Sequence, residues 1–296
     1  MSQYPLVSIV VATYNGEQYI EAQLDSLLKQ TWPNVEIIVS DDCSKDNTLA
    51  VLERYAQHSN IRIIKNTTNL GYIKNFEMGC KHATGEYISL CDQDDIWEAE
   101  KTAVLMNAIG DAPMIYSDSL QVTETLEPIR KHSDLKQLAT FDNPLYFATD
   151  NCVAGHALIV RKAVVTASIP FPLEMPHDLW LAFNATLHGT VKYYDQAFVL
   201  WRQHSSNVTG LKKSRKAEEE KTRRRLLIFA DTCTTEEKQI FIKLAESYES
   251  YSFSNNLLRM RLYFKYQRYL IAMKKRTALS KVVFCTKMFF KMRLGV

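Results

Sequence analysis

Three carboxylates fall within four residues at Asp92-Gln93-Asp94-Asp95, directly after the apolar run Tyr87-Ile88-Ser89-Leu90-Cys91. Such a run reads as a short buried strand. Like charges gathered at its end are costly inside a fold unless a cation offsets them. At the carboxyl end of a strand in an α/β sheet, the usual resolution is a ligand crevice. Hard divalent cations favour carboxylate oxygens, and Mg²⁺ takes one or two of them alongside substrate phosphates. The stretch therefore points to a metal–diphosphate site. The alternative is a solvated acidic turn capping a helix that starts near Glu98.

Two further apolar runs end in polar punctuation. Leu6 to Ala12 is β-branched and stops at Thr13-Tyr14-Asn15-Gly16, and Val35 to Ser40 stops at Asp41-Asp42-Cys43-Ser44. Amphipathic stretches separate these runs, with a third strand expected at Ile61-Arg62-Ile63-Ile64 and another at Met114 to Ser117. Strand and helix alternate for about 115 residues with short connections, which predicts an open, mainly parallel sheet with helices on both faces. The three polar strand ends then share one carboxyl edge. The first strand–helix turn holds one glycine, Gly16, and no G-x-G-x-x-G, which argues against a dinucleotide fold. No P-loop motif is present.

Beyond Ser117 the pattern loosens. Residues 118–151 are irregular and polar, and Cys152 to Val160 reads as a strand in which Gly155 marks a close approach. The prolines Pro170, Pro172 and Pro176 stiffen a loop that delivers His177-Asp178-Leu179-Trp180 to a helix. Short strands are expected at Val191–Tyr194 and Ala197–Trp201. Helices are expected over Lys212–Arg225, after a capping box at Thr234-Thr235-Glu236-Glu237, and over Ser254–Lys275.

The 296 residues are 46% apolar, enough for a substantial core. The net charge of +3 is unevenly spread: residues 250–296 hold eleven of the 36 Lys and Arg and none of the 33 Asp and Glu. The first 249 residues are thus net −8, and the basic tail suits an anionic surface. Six cysteines without C-x-x-C spacing argue against a zinc site or a disulfide scaffold and fit a reducing compartment. Neither a signal peptide nor a spanning helix is expected. Asn66-Thr67-Thr68 and Asn207-Val208-Thr209 match the glycosylation triplet by chance in such a setting.

Several motifs occur together and in order: Val10-Val11-Ala12-Thr13-Tyr14-Asn15, Val39-Ser40-Asp41-Asp42-Cys43-Ser44-Lys45-Asp46-Asn47-Thr48, Asn69-Leu70-Gly71, Asp92-Gln93-Asp94-Asp95-Ile96-Trp97 and Asp178-Leu179-Trp180. In these the chain resembles the family 2 glycosyltransferases, which have the GT-A fold. It looks most like bacterial members that build cell-surface polysaccharide, rhamnosyltransferases among them. The resemblance covers roughly residues 6–210. It implies a catalytic domain over residues 1–210, with a nucleotide-binding half (1–117) and an acceptor-binding half (118–210), followed by a basic helical region (211–296).

The resemblance implies an inverting transfer from a dTDP- or UDP-linked sugar, dTDP-rhamnose included, to a hydroxyl of a lipopolysaccharide, O-antigen or capsule intermediate. Mn²⁺ or Mg²⁺ would assist as the cofactor. A pyrimidine N3–H is a donor that Asp41 or Asp42 can accept, and Tyr14 offers a face for the base to stack on. Thr13, Asn15, Asn69 and Gly71 complete the donor rim. Asp92 and Asp94 match the family's D-x-D: Asp94 would ligate the metal, and Asp92 would reach the ribose or the metal shell. Asp95 is expected in backbone or supporting hydrogen bonds. His204 would complete the metal shell, and Arg202 would pair with the diphosphate. Asp178 matches the general base, with His177, where relatives often carry Glu, tuning or replacing it. Trp97 and Trp180 are candidates for stacking on a sugar.

The family's lipid-linked or growing glycan acceptors make the basic tail a candidate for peripheral contact with the cytoplasmic face of the inner membrane; a helical cap is the alternative. No nucleic-acid partner is expected. A nucleotidyltransferase would show a glycine-rich basic first turn, and a scaffold subunit without chemistry would have lost Asp94 or Asp178; neither feature is found.

Overall fold

Strand β1 (Val7–Thr13) is β-branched and almost wholly buried, as a strand covered on both faces must be. In this computed structural model the described residues are 4–204, 215–234 and 236–290, without the side chains of 215–218. The triplet Asn207-Val208-Thr209, Thr235 and the tail cations Lys291 and Arg293 lie outside them.

After β1 come α1 (Ile20–Leu28), β2 (Val35–Asp41), α2 (Thr48–Tyr55), β3 (Ile61–Lys65), α3 (Tyr72–His82), β4 (Tyr87–Asp92), β5 (Ile96–Trp97), α4 (Lys101–Ile109) and β6 (Met114–Val122). Then follow β7 (Pro128–Lys131), the short α5 (His132–Leu135), β8 (Leu158–Arg161), α6 (Lys162–Ser168), α7 (His177–His188) and β9 (Val191–Arg202). The strands form one sheet in the order β3-β2-β1-β4-β8-β6-β9-β5, with β7 paired to β6. Strands β3, β2, β1 and β4 are parallel, and β6 is parallel to β9; β8 runs antiparallel to both its neighbours, and β5 to β9. The sheet is thus mixed and mostly parallel.

Alternation along β1 sorts the helices. Val7, Ile9 and Val11 join a buried cluster with Leu24 and Leu27 of α1, Leu52 of α2 and Leu105 of α4. Val10 faces the other way, against α3, where Gly79 approaches so closely that a Cβ there would stand 2.4 Å from Val10 Cγ1. Helices therefore cover both faces. Register aligns the polar strand ends: Thr13 pairs with Asp41, and Ala12 with Asp92. The expected common carboxyl edge is present.

The second half departs from the sequence reading in three places. Gly155–Ala157 form a 3-10 turn, and only Leu158–Arg161 of the expected strand is extended. The two short strands after Val191 are one twelve-residue strand, whose pairing with β6 shifts register around Asp118 and so absorbs the polar Asp195 and Gln196. Asp118 is not the start of an irregular stretch, since β6 continues to Val122.

The chain divides into two compact units, residues 1–134 with 153–206, and residues 135–152 with 207–296. The second unit holds α8 (Arg215–Thr232), α9 (Glu237–Ser247), α10 (Phe253–Lys265), α11 (Gln267–Leu270) and α12 (Ala278–Phe290). The helix expected over Ser254–Lys275 ends at Lys265, and α9 begins with Glu236 at its cap and no side-chain capping bond. Buried Arg259 of α10 ties this unit together, donating to the carbonyls of Ser247 and Met288 and to Asn256 Oδ1. Among the described residues no helix is long and apolar enough to cross a membrane.

One buried ion cluster braces the first unit. Glu77 of α3 accepts from Lys74 Nζ (2.6 Å), Lys81 Nζ (2.6 Å) and Phe171 N (2.7 Å), and Lys74 also donates to Phe171 O (2.7 Å). Burial works to raise the Glu77 carboxyl, but these donors outweigh it and hold it below its ordinary value. A depressed carboxylate stabilises the fold above its unfolded pKa, and that contribution fades as pH falls through the folded value. Glu77→Gln should therefore lower the unfolding free energy at pH 7 by about 2 kcal/mol. In urea titrations the gap to wild type should close as the pH is taken towards 3.

Candidate active site

A rim at the carboxyl edge of the sheet is built from four loops stapled by side-chain amides and carboxylates. Gln93 Oε1 accepts from Thr13 Oγ1 (2.7 Å) and Tyr14 N (2.8 Å), joining the β1 and β4 loops. Asn15 N donates to Ser44 Oγ (2.9 Å), and Lys45 N donates to Asn15 Oδ1 (2.8 Å), joining β1 to β2. Asp41 is buried and caps its own loop through Ser44 N (3.1 Å) and Ser44 Oγ. Asp42, also buried, accepts from Leu70 N (2.8 Å) and Gly71 N (2.9 Å), and its carbonyl accepts from Asn69 Nδ2 (3.1 Å). Thr13, Asn15, Asp41, Asp42, Asn69 and Gly71 thus come together as one rim, with the Tyr14 ring exposed. Asp41 and Asp42 shape this rim; Asp42 Oδ1 also accepts from Asn66 Nδ2 (3.2 Å) and so is filled, whereas the Asp41 oxygens each keep a lone pair beyond these contacts.

The acidic loop has two sides. Asp92 keeps 44% of its side chain exposed, whereas Asp95 is sealed. Asp94 Oδ2 lies 2.8 Å from His204 Nε2. His156 Nδ1 stands 3.4 Å from both Asp92 Oδ2 and Asp95 Oδ2, and its Nε2 stands 3.1 Å from Ser119 Oγ. Asp95 Oδ1 accepts from Arg202 N (3.0 Å), the supporting bond expected of it, while Oδ2 has no hydrogen-bond partner. The charges sort themselves accordingly. Desolvation works to raise the Asp92 carboxyl, but the bond to His156 and the nearby cationic groups hold it low. Burial and the Asp92 charge push Asp94 up, and burial with both neighbours pushes Asp95 well up.

Lys101 lies beneath this loop, fully buried, with Nζ over the Trp97 ring and donating to His156 O (2.7 Å). Burial drives its ammonium well below the usual range, against the pull of Cys91, Asp95 and Asp92.

The donor set fits a hard divalent cation: carboxylate oxygens and imidazoles, with one buried carboxylate oxygen left unbonded. Asp92, Asp95 and His156 each bring a ligand atom within 4.8 Å of the others. Asp94 of the same loop forms a second pair with His204, which follows β9.

Asp178 opens α7 with its carboxylate turned onto its own helix end, accepting from Leu179 N (2.6 Å) and also from Gly155 N. Burial outweighs these donors and, with help from Asp92, raises the carboxyl to about 7. Gly155, whose N–H meets Asp178, precedes His156, whose ring faces Asp92, so Asp178 and His177 stand beside the acidic loop, and the Asp92 charge acts on His177 and Tyr72. His177 is buried, its ring centroid 4.1 Å from that of Phe76, and neither ring nitrogen has a partner. Burial lowers its pKa to about 4, so it is neutral at pH 7. The close approach expected at Gly155 is His177 itself: a Cβ there would stand 2.9 Å from Nε2.

Three expected roles are corrected. Trp97 is buried under Lys101, and Trp180 is buried with its Nε1 donating to Ser168 O (2.7 Å), so neither ring offers a face to a sugar. Arg202 is also buried, its Nε on Asp94 O (2.8 Å) and Nη1 on Glu124 O, and it braces the acidic loop instead of facing a diphosphate. His156, Lys101 and Gln93 went unread in the sequence, because their partners lie 55 or more residues away.

The sequence matches the profile Glycosyl transferase family 2 over residues 8–166, more than half the chain. The chain belongs to glycosyl transferase family 2. It is a glycosyltransferase, and its sheet and helices are those of the GT-A fold. An uncharacterized glycosyltransferase of Haemophilus influenzae is 28% identical over 71% of this chain and 69% of its own length. The Escherichia coli UDP-Glc:alpha-D-GlcNAc-diphosphoundecaprenol beta-1,3-glucosyltransferase WfgD is 32% identical over 60% of this chain and 69% of its own. Among solved structures, Staphylococcus aureus TarS 1-349 in complex with UDP-GlcNAc superposes with a TM-score of 0.64 at 20% identity, covering 98% of this chain and 92% of that one. The Pyrobaculum calidifontis mannosyltransferase PcManGT, in complex with GDP-Man and Mn²⁺, gives 0.55 at 17%, covering 99% and 86%. None of these names carries the rhamnosyl activity expected from sequence.

Removing the Lys101 ammonium leaves His156 O without its buried donor. Lys101→Met should lower stability by about 2 kcal/mol in chemical denaturation and weaken Mn²⁺ binding in calorimetry.

Proposed function

We propose that this enzyme transfers a sugar, with inversion, from a uridine or thymidine diphosphate sugar to a hydroxyl of a surface-glycan intermediate. The supporting observation is the placement of Asp178 at Gly155, next to the His156 that faces Asp92 at the end of β4, where burial raises its carboxyl to about 7. UDP is the favoured nucleotide, since the names of WfgD and of the TarS complex both carry it. WfgD's name also carries a diphosphoundecaprenol acceptor, and a lipid-borne acceptor of that kind fits both the chemistry and the basic C-terminal region.

Asp92, Asp94 and His204 would hold the divalent cation. Asp95 and His156 would support them from within, because both are sealed from the crevice and cannot reach a diphosphate. When bound, Mn²⁺ or Mg²⁺ supplies Lewis-acid neutralisation of the departing diphosphate. The exposed Tyr14 ring stacks on the base, and the rim from Thr13 to Gly71 orients the ribose and base, with Asp41 or Asp42 accepting the N3–H. Ionised Asp178 takes the proton of the acceptor hydroxyl as its oxygen attacks the sugar's anomeric carbon from the face opposite the diphosphate. The new glycosidic bond forms as the bond to the diphosphate oxygen breaks. His177, neutral and buried against Phe76 and Gly155, would position Asp178 from behind.

The base must be ionised to act, so kcat/KM should rise tenfold per pH unit below about 7 and level off above it. Asp178→Asn should remove that limb and lower kcat by at least ~10²-fold while UDP binding persists. Near-normal turnover in this variant moves the base elsewhere. Asp94→Ala should abolish Mn²⁺-dependent UDP binding in calorimetry; undiminished affinity removes Asp94 from the cation site.

A further inference from the structure

Helix α12 is amphipathic in the reverse sense from most surface helices. At 100° per residue, Leu279, Val282, Val283, Thr286 and Phe290 fall on one arc, and Cys285 and Met288 on the opposite one. The second pair is buried within the C-terminal unit. The first arc is exposed: Leu279 is 75% accessible, Val282 47%, Val283 44% and Phe290 50%. Apolar area continues beside it, since Phe253 at the start of α10 is 67% accessible and its ring meets Phe289 edge to face at 5.3 Å. A contiguous apolar patch of this kind on a protein in water marks an interaction surface.

The charges around the arc say what kind of surface it meets. Lys275 and Lys287 are exposed beside it, and among the described residues neither is in an ion pair. No Asp or Glu occurs anywhere from residue 250 onward. An apolar arc flanked by Lys and Arg is the pattern of an interfacial helix, whose cations meet anionic headgroups. The arc is also held firmly: Arg259 Nε reaches the Met288 carbonyl, and the Arg276 guanidinium lies 4.6 Å from the centroid of the Phe284 ring on the inner side.

We propose that the outer arc of α12, extended by Phe253, inserts into the headgroup–acyl boundary of an anionic lipid bilayer, with Lys275 and Lys287 on the phosphates. The proposal sharpens the role of the basic C-terminal region from charge attraction to apolar insertion at named residues, and its test does not use catalysis.

The test is co-sedimentation of the full chain with vesicles of phosphatidylcholine alone and with 30% phosphatidylglycerol, at low and at 0.5 M salt. Wild type should bind the anionic vesicles, at least tenfold more tightly than the neutral ones, and keep part of that binding at high salt because insertion is not screened. Leu279→Ser with Val283→Ser should lose the salt-resistant part. Lys275→Glu with Lys287→Glu should lose the preference for anionic lipid. Both variants should keep the wild-type melting temperature and UDP binding. Binding by the serine variant equal to wild type overturns the proposal. So does a wild type that ignores vesicles. A wild type that dimerises in lipid-free ultracentrifugation, with the serine variant monomeric, assigns the arc to a second copy instead.

Discussion

Three carboxylates at the end of one strand cannot all be ionised in a small, partly dry volume, and much of the catalytic unit is arranged around that fact. One of them, Asp92, keeps its charge because it is half exposed and faces His156. Asp94 leans on His204. Asp95 is sealed, with one oxygen on a backbone N–H and the other unbonded. Around them, Arg202 and Lys101 donate to backbone carbonyls, Asp94 O, Glu124 O and His156 O. These donors fix the backbone around the loop, while Asp92 keeps 44% of its side chain exposed. A direct Arg–Asp pair in the same place would have satisfied the charge and closed the site.

The same electrostatics reach across the crevice. Asp92 helps raise Asp178, and it works against the desolvation of His177. Burial dominates both shifts, in opposite directions, because the ionised form of each is the one that burial penalises. Two adjacent residues at one helix start therefore divide the work: a carboxyl poised to exchange a proton near neutrality, and an imidazole that stays neutral.

What could be read from the sequence follows how local each signal is. The strands, their polar ends and the shared edge were legible because β-branched runs and the residues closing them lie next to one another in the chain. Asp94 beside His204, and Asp178 at the head of its helix, were placed by motif and order. Trp97 and Trp180 were misread because a tryptophan's type does not tell a sugar platform from a core filler; only burial does. Arg202 looked like a diphosphate ligand from its neighbours, whereas its guanidinium meets carbonyls contributed by Asp94 and Glu124, far away in sequence. The outward apolar arc of α12 was hidden for another reason: apolar residues sit on both sides of that helix, and periodicity alone does not say which side is covered.

Helix α3 touches both halves of the crevice. Its leading turn begins at Gly71, whose N–H is gripped by Asp42 on the donor rim, and about 9 Å along its axis Glu77 and Lys74 grip Phe171 in the stretch that leads to Asp178. A helix of three turns is stiff over that length. Any displacement of the rim at Gly71 is then delivered, as by a lever, to the anchor of the segment that leads to Asp178, so the two ends of the helix are mechanically one variable.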